Sequence, residues 1–129
     1  MPGARGLRLH PGPGHACVTG THSHLADGGT VCWQPGPGAT GRHAVDAEWE
    51  DQALPPALAR RMPEAAALDP WGAWTRAEVC AKLLDVPILV WVTTRAWPGE
   101  GEFVVDGRTL HLSTHRVEGL VVSLGRLEP

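Results

Sequence analysis

The sequence predicts a small α+β protein in which an antiparallel sheet packs against one main helix. Three observations support this class: a hairpin-turn signal at Asp106-Gly107, an amphipathic helix pattern over 75–85, and β-type segments in both the first and the last third of the chain. Residues 87–125 are expected to form a meander of about three or four strands. A partly open β-barrel is the alternative architecture.

The chain of 129 residues has the usual length of one domain, and its 43% hydrophobic content is typical of a folded one. Glycine and proline, with 16 and 12 copies, are concentrated near the start, where 15 of them lie in residues 1–41. We therefore expect a single domain over residues 1–129. Within it, residues 1–41 form a Gly/Pro-rich β and loop region, and residues 42–129 form the α+β core.

A loop-rich β-hairpin is predicted near the start of the chain. Residues 16–21 and 30–33 have β-type composition and flank a turn signal at 27–29. Pro-Gly-Pro-Gly segments at 11–14 and 35–38 bracket this unit, so its surroundings are expected to be loops.

The helices are predicted from composition and from capping signals. Residues 56–68 are rich in Ala and Leu but contain an internal proline, so we expect short helical turns there. The main helix is expected over 75–85, because Thr75 and Glu78 have the spacing of a capping box and Pro87 disfavours a longer helix.

The strands of the predicted meander follow this helix. Residues 87–94 form an apolar run without alternation, which favours a central strand covered on both faces. The two-residue turn at 106–107 then places Glu102 opposite His111, and a last strand is expected over 120–124. On this register the hairpin presents four apolar side chains toward the core: Phe103, Val105, Leu110 and Leu112.

Charge and hydropathy exclude two classes of partner. The net charge is −3, from 14 acidic and 11 basic side chains, and no basic run suits a nucleic-acid backbone. No apolar stretch approaches the roughly 18 residues of a spanning helix, and no signal-peptide pattern is present. We therefore expect a soluble cytoplasmic protein that binds neither nucleic acid nor membrane.

Abundant Arg, Ala, Gly and Pro indicate GC-rich coding, as in a bacterial or phage source.

The three cysteines are predicted to be reduced thiols, as is usual in the cytoplasm. A disulfide between Cys17 and Cys32 is the alternative. Cys80 falls on the apolar face of the predicted main helix, so we expect a buried structural thiol there and not a nucleophile.

A metal site is one hypothesis for the histidine-rich start of the chain. His22 and His24 alternate along a strand, which places both imidazoles on one face about 6–7 Å apart. Cys17 or His15 would supply a further ligand. Zn²⁺ or another divalent transition metal is the cofactor that this ligand set predicts, although the spacing matches no closed zinc motif.

A catalytic site is a second hypothesis. Glu102 opposite His111 resembles a carboxylate-oriented imidazole, the arrangement of a general base, and an exposed cross-strand ion pair is the simpler interpretation. The sequence contains no phosphate-binding Gly-rich loop, no nucleophile elbow and no His-Glu-x-x-His motif.

The six tryptophans are many for a chain with one Phe and no Tyr. Large amphipathic rings in loops serve as interface anchors, so four of them are candidates for binding a partner. These are Trp49, Trp71, Trp74 and Trp97. The acidic segment 46–51 surrounds the first of them and suits a basic partner, or is simply a solvated strand or turn.

Together these features favour a non-catalytic binding or accessory protein that engages a protein partner, or a second copy of itself, through tryptophan-lined loops. The competing hypothesis is a small metal-binding protein or small-molecule enzyme. It would use the His and Cys residues near the start or the Glu102/His111 pair.

Overall fold

The computed structural model describes residues 4–12 and 20–129. The predicted α+β class is confirmed, with seven strands and four helices in the described chain. In chain order they are β1 (Leu7–His10), β2 (Thr21–His24), β3 (Thr30–Trp33), β4 (Arg42–Trp49), α1 (Pro56–Ala59), α2 (Glu64–Ala67), α3 (Pro70–Leu84), α4 (Ile88–Thr94), β5 (Gly101–Val105), β6 (Arg108–Val117) and β7 (Leu120–Leu127).

The strands form two antiparallel sheets. The smaller sheet has the order β1-β3-β2 and the larger has the order β4-β7-β6-β5. The described strands therefore make two separate sheets and not one partly open barrel. A hairpin is present as β2 and β3, but its first strand begins at Thr21, where the predicted strand over residues 16–21 ends. Of that predicted strand, residues 16–19 lie outside the described residues. Strand β1 was not predicted.

The second hairpin has the predicted register. Asp106 and Gly107 both have positive φ, at 52° and 72°, as a two-residue type I′ turn requires. Glu102 pairs with His111 as expected. The last strand is longer than predicted, because β7 runs from Leu120 to Leu127 between two neighbouring strands.

The segment 87–94, predicted as the central strand, is instead the helix α4. The carbonyl of Pro87 accepts a hydrogen bond from the Trp91 N–H at 2.9 Å. An unbroken apolar run does not distinguish a covered strand from a short helix, and the helix is what forms here. The run has an inner and an outer side: Trp91 and Val92 are buried, whereas Leu89 and Val90 are 66% and 47% exposed.

The main helix begins five residues earlier than the expected capping box. Its N-cap is Asp69, whose carboxylate accepts a hydrogen bond from the Gly72 N–H, and Pro70 occupies the first turn. Thr75 lies inside the helix, where its hydroxyl donates to the Trp71 carbonyl at 2.9 Å. The predicted end is confirmed, since Leu84 is the last helical residue and Asp85 has the left-handed φ of 55°.

The larger sheet has a core on each face. Helices α3 and α4 cover one face, and the smaller sheet covers part of the other. Gly125 permits the close approach of α3, because a Cβ there would overlap Val79.

Cys80 is a free, fully buried thiol in the helix-side core, as predicted, and burial raises its pKa to about 12. Cys32 is in a disulfide, which overturns the prediction of a reduced thiol there.

The two sheets are joined along the edge of β4. The Ser23 hydroxyl, on β2, accepts a hydrogen bond from the Ala47 N–H at 3.3 Å and donates to the Asp46 carboxylate at 3.1 Å. Both bonds are buried, so they hold the smaller sheet in place beside β4.

Within residues 4–12 and 20–129, no helix has the length and apolar character needed to cross a membrane.

Candidate binding site between strand β4 and helix α3

Carboxylates from β4 and α3 meet around one lysine. Alternation along β4 directs Asp46 and Glu48 to the helix-covered face of the sheet. On α3, Glu78 and Lys82 are four residues apart and therefore share one side of the helix. The Lys82 ammonium donates to the Val45 carbonyl at 2.8 Å and to the Asp46 carboxylate at 3.2 Å.

Asp46 is the most buried member of this group. The residue is 7% exposed, and its Oδ1 accepts from Ser23 and Lys82 while its Oδ2 has no hydrogen-bond partner in the structure. Burial raises the pKa of this carboxyl to about 7, against the opposing charge of Lys82 and with a smaller contribution from Glu78. The lysine therefore compensates this carboxylate only in part.

Glu48 and Glu78 are half-buried, and burial raises the pKa of each. The Gln52 amide donates to Glu48 at 2.6 Å, and the Trp74 side chain is a second donor to the same carboxylate. Both donors favour the charged form, as does Lys82, yet the net shift of the pKa is upward. Three carboxylates thus share one ammonium group in partly dry surroundings.

A cleft of about 280 Å³ opens beside Glu48. Trp71 fixes one wall, because its indole N–H donates to the Gln52 carbonyl at 3.1 Å and the residue is only 8% exposed. The cleft therefore combines a carboxylate and an amide with aromatic and aliphatic walls. Its lining consists of Glu48, Gln52, Ala53, Pro55, Leu58, Trp71 and Trp74.

This chemistry suits a cation that carries an apolar stem. An ammonium or guanidinium group is attracted both by the carboxylate and by the faces of indole rings, and its methylene chain packs on aliphatic walls. In the described chain, no group of three or more His, Cys, Asp or Glu side chains is placed to hold a metal ion.

The four predicted anchor tryptophans occupy different surroundings. Trp71 and Trp74 lie in α3 and not in a loop, because the helix begins earlier than expected. Trp97 is in the predicted loop, partly buried, with its ring 6.4 Å from that of Trp74. Trp49 ends β4 and donates to the Asp27 carboxylate at 3.0 Å. Two of the four therefore line the cleft, and the ring of Trp97 lies next to that of Trp74.

The other candidate site residues are partly brought together. The rings of His22 and His24 lie 5.0 Å apart on β2, as their alternation predicts, while His15 and Cys17 lie outside the described residues. Across the β5–β6 pair Glu102 stands opposite His111, but the carboxylate that approaches the His111 Nε2 is Glu128, at 3.3 Å. The metal and catalytic hypotheses both stay predictions.

Part of this site was predictable from the sequence. Both tryptophans and the acidic segment that contains Glu48 were predicted as binding candidates, whereas Lys82 and Gln52 had no predicted role and Glu78 was expected in a capping box. The recurrence of Trp74, Glu78 and Lys82 at intervals of four along one side of a helix was the available signal.

Fold and site together define a small α+β protein with two antiparallel sheets and an aromatic cleft lined by a carboxylate. The chain matches no protein-family model, and neither a curated protein nor a solved structure matches it.

Proposed function

We propose that this chain is a non-catalytic binding protein that takes a Lys or Arg side chain of a protein partner into the cleft between Trp71 and Trp74. The observation that carries the proposal is the charge balance next to the cleft, where the carboxylates of Asp46, Glu48 and Glu78 share the single ammonium group of Lys82. An arriving cation supplies the missing compensation.

The energetics favour a basic side chain over a free ion. Cation–π contact with an indole contributes about 0.5–2 kcal/mol, more when the site is dry. A charge-assisted hydrogen bond to Glu48 contributes about 1.5–3 kcal/mol. The aliphatic stem of Lys or Arg then fits the wall formed by Pro55 and Leu58.

The setting of this interaction is also part of the proposal. We place the protein in a bacterial or phage context, as its composition indicates, and in the cytoplasm. The disulfide at Cys32 is the observation that weighs against a cytoplasmic location, because disulfides persist mainly in oxidising compartments.

The test is a binding titration with short capped peptides that carry one central Arg, Lys or Gln between glycines, followed by tryptophan fluorescence. We expect the Arg and Lys peptides to bind and the Gln peptide to fail. Glu48→Gln should weaken binding by about tenfold or more, because it removes one charge-assisted hydrogen bond. Trp74→Leu should weaken it as well.

Glu102→Gln is the matched control, since it removes an exposed carboxylate from β5 on the opposite face of the sheet. Equal binding of the Arg and Gln peptides, or equal losses in the Glu48 and Glu102 variants, would contradict the proposed site.

A further inference from the structure

A row of basic side chains crosses the larger sheet on the face away from the helices. The register pairs His43 on β4 with Arg126 on β7, and Arg126 in turn with His111 on β6. Directly paired residues of antiparallel strands project to the same face, so the three side chains are neighbours. They lie beside the area that the smaller sheet covers.

This row forms the floor of a cavity of about 500 Å³. Trp33 and the loop over residues 35–40 form its walls, and Arg5 stands at its rim. Trp33 is 3% exposed; its ring lies edge-on to that of His43 at 5.4 Å, and its indole N–H donates to the Arg5 carbonyl at 3.2 Å. The indole thus fixes the backbone of one basic residue while it packs against another.

Gly6 explains why the chain can follow this path beside Trp33. Its φ is +86°, and a Cβ there would overlap the Gln34 carbonyl, so only glycine fits. The Gln34 N–H donates to the Gly6 carbonyl at 3.1 Å. The backbone conformation of Gly6 and its hydrogen bond with Gln34 therefore fix the position of Arg5 at the rim.

The two arginines of the cavity lack protein partners. In the described part of the chain, the Arg5 and Arg126 guanidinium groups make neither a hydrogen bond nor an ion pair, whereas Arg116 pairs with two carboxylates. The His111 Nε2 is buried, and the Glu128 carboxylate lies 3.3 Å from it. Two unpaired guanidinium groups, those of Arg5 and Arg126, thus line one cavity.

We propose that this cavity binds a small organic oxyanion, a phosphate or carboxylate compound, and that Arg126 and Arg5 hold its charged group. A guanidinium offers two parallel N–H donors, which match two oxygens of either group. His43 and His111 lie on either side of Arg126 in the cavity lining. The cavity volume lies within the range of small-molecule sites, so the remainder of the ligand is enclosed against Trp33 and the 35–40 loop.

The experiment is a titration of the full chain at low ionic strength with inorganic phosphate, glycerol phosphate and citrate, followed by calorimetry. We expect saturable one-to-one binding of at least one probe, and the order of affinities identifies phosphate or carboxylate as the preferred group. Arg126→Met keeps the aliphatic stem and should weaken binding by about tenfold or more. Arg5→Met should do the same from the exposed rim, where folding is not at risk.

Arg61→Met is the control, because Arg61 is exposed and is not part of the cavity lining. Absence of binding by all three probes up to about 10 mM would overturn the proposal. An equal loss in the Arg61 and Arg126 variants would overturn it too, since it would reveal attraction to general surface charge.

Discussion

Asp46 is the single residue whose charge state depends most on its surroundings. Burial raises the pKa of its carboxyl from 3.8 to about 7, although the Lys82 ammonium opposes the shift. Between these two values the folded chain holds the proton more tightly than the unfolded chain. The resulting contribution to the free energy of unfolding is fully present below about pH 4 and is lost as the pH rises through about 7.

We therefore expect the contribution of Asp46 to the free energy of unfolding to fall between pH 5 and pH 8. The loss attributable to Asp46 is roughly 2–3 kcal/mol, at about 1.36 kcal/mol per pKa unit. Asp46→Asn removes the titrating group, so chemical denaturation should give a flatter pH profile for this variant. Asp51→Asn, at an exposed carboxyl on the same segment, should leave the profile unchanged. Equal slopes in the wild type and the Asp46 variant would assign the pH dependence to another group.

Among the elements, the β5–β6 hairpin is specified most completely by local sequence. Both central residues of its turn have positive φ, which glycine adopts without strain and which Asn and Asp tolerate. No heavy atom lies within 4 Å of the position that a Cβ on Gly107 would occupy, so backbone strain alone decides the effect of a substitution there.

Gly107→Val should lower the free energy of unfolding by about 1–3 kcal/mol, because a β-branched residue is strained at this φ. Gly107→Asn should cost much less, since Asn tolerates the left-handed region. Thermal denaturation of both variants makes the comparison. Equal melting temperatures would show that the turn does not impose the positive φ.

The sequence predicted those secondary-structure elements that depend on local signals. The hairpin depends on a two-residue turn and on alternation, both of which are local, and its register was predicted residue by residue. Helix α4 was not predicted, because its inner and outer sides are both apolar and only packing distinguishes Trp91 from Leu89. The start of α3 was missed because the Thr75/Glu78 pair matched a capping box, while the N-cap is Asp69.

The binding cleft was predictable only in its components. Composition and loop signals identified Trp71 and Trp74, and the acidic segment identified Glu48. Their meeting with Glu78 and Lys82 depends on how β4 and α3 pack in three dimensions. No short-range pattern contains that information, since β4 pairs with β7 at the other end of the chain.

At the scale of the whole molecule, one hydroxyl group and an apolar cluster together join the two sheets. Ser23 satisfies the buried Ala47 N–H on the edge of β4 and also binds Asp46. An apolar cluster shared by both sheets surrounds this contact; it includes Leu25, Val31, Trp33, Val45 and Leu124. The apolar cluster supplies attraction, and the hydroxyl satisfies the polar groups that this attraction buries.

Ser23→Ala should therefore destabilise the protein by about 1–3 kcal/mol, because it leaves a buried N–H donor without a partner. Urea denaturation measures the change. Thr93→Ala is the control, since its hydroxyl is exposed on α4 and bonds only within that helix. A loss for Ser23→Ala no larger than that for Thr93→Ala would mean that the apolar cluster alone joins the sheets.

Strand β4 carries both proposed sites on opposite faces, with Glu48 toward the helix and His43 toward the cavity. If β4 paired with β7 one residue out of alignment, every side chain would change face, and both sites would vanish together. The strand content of such a misfolded chain would be almost the same, so circular dichroism would scarcely distinguish it. Ligand binding at either site would then serve as a quality assay for refolded protein, because only correctly aligned strands would pass it.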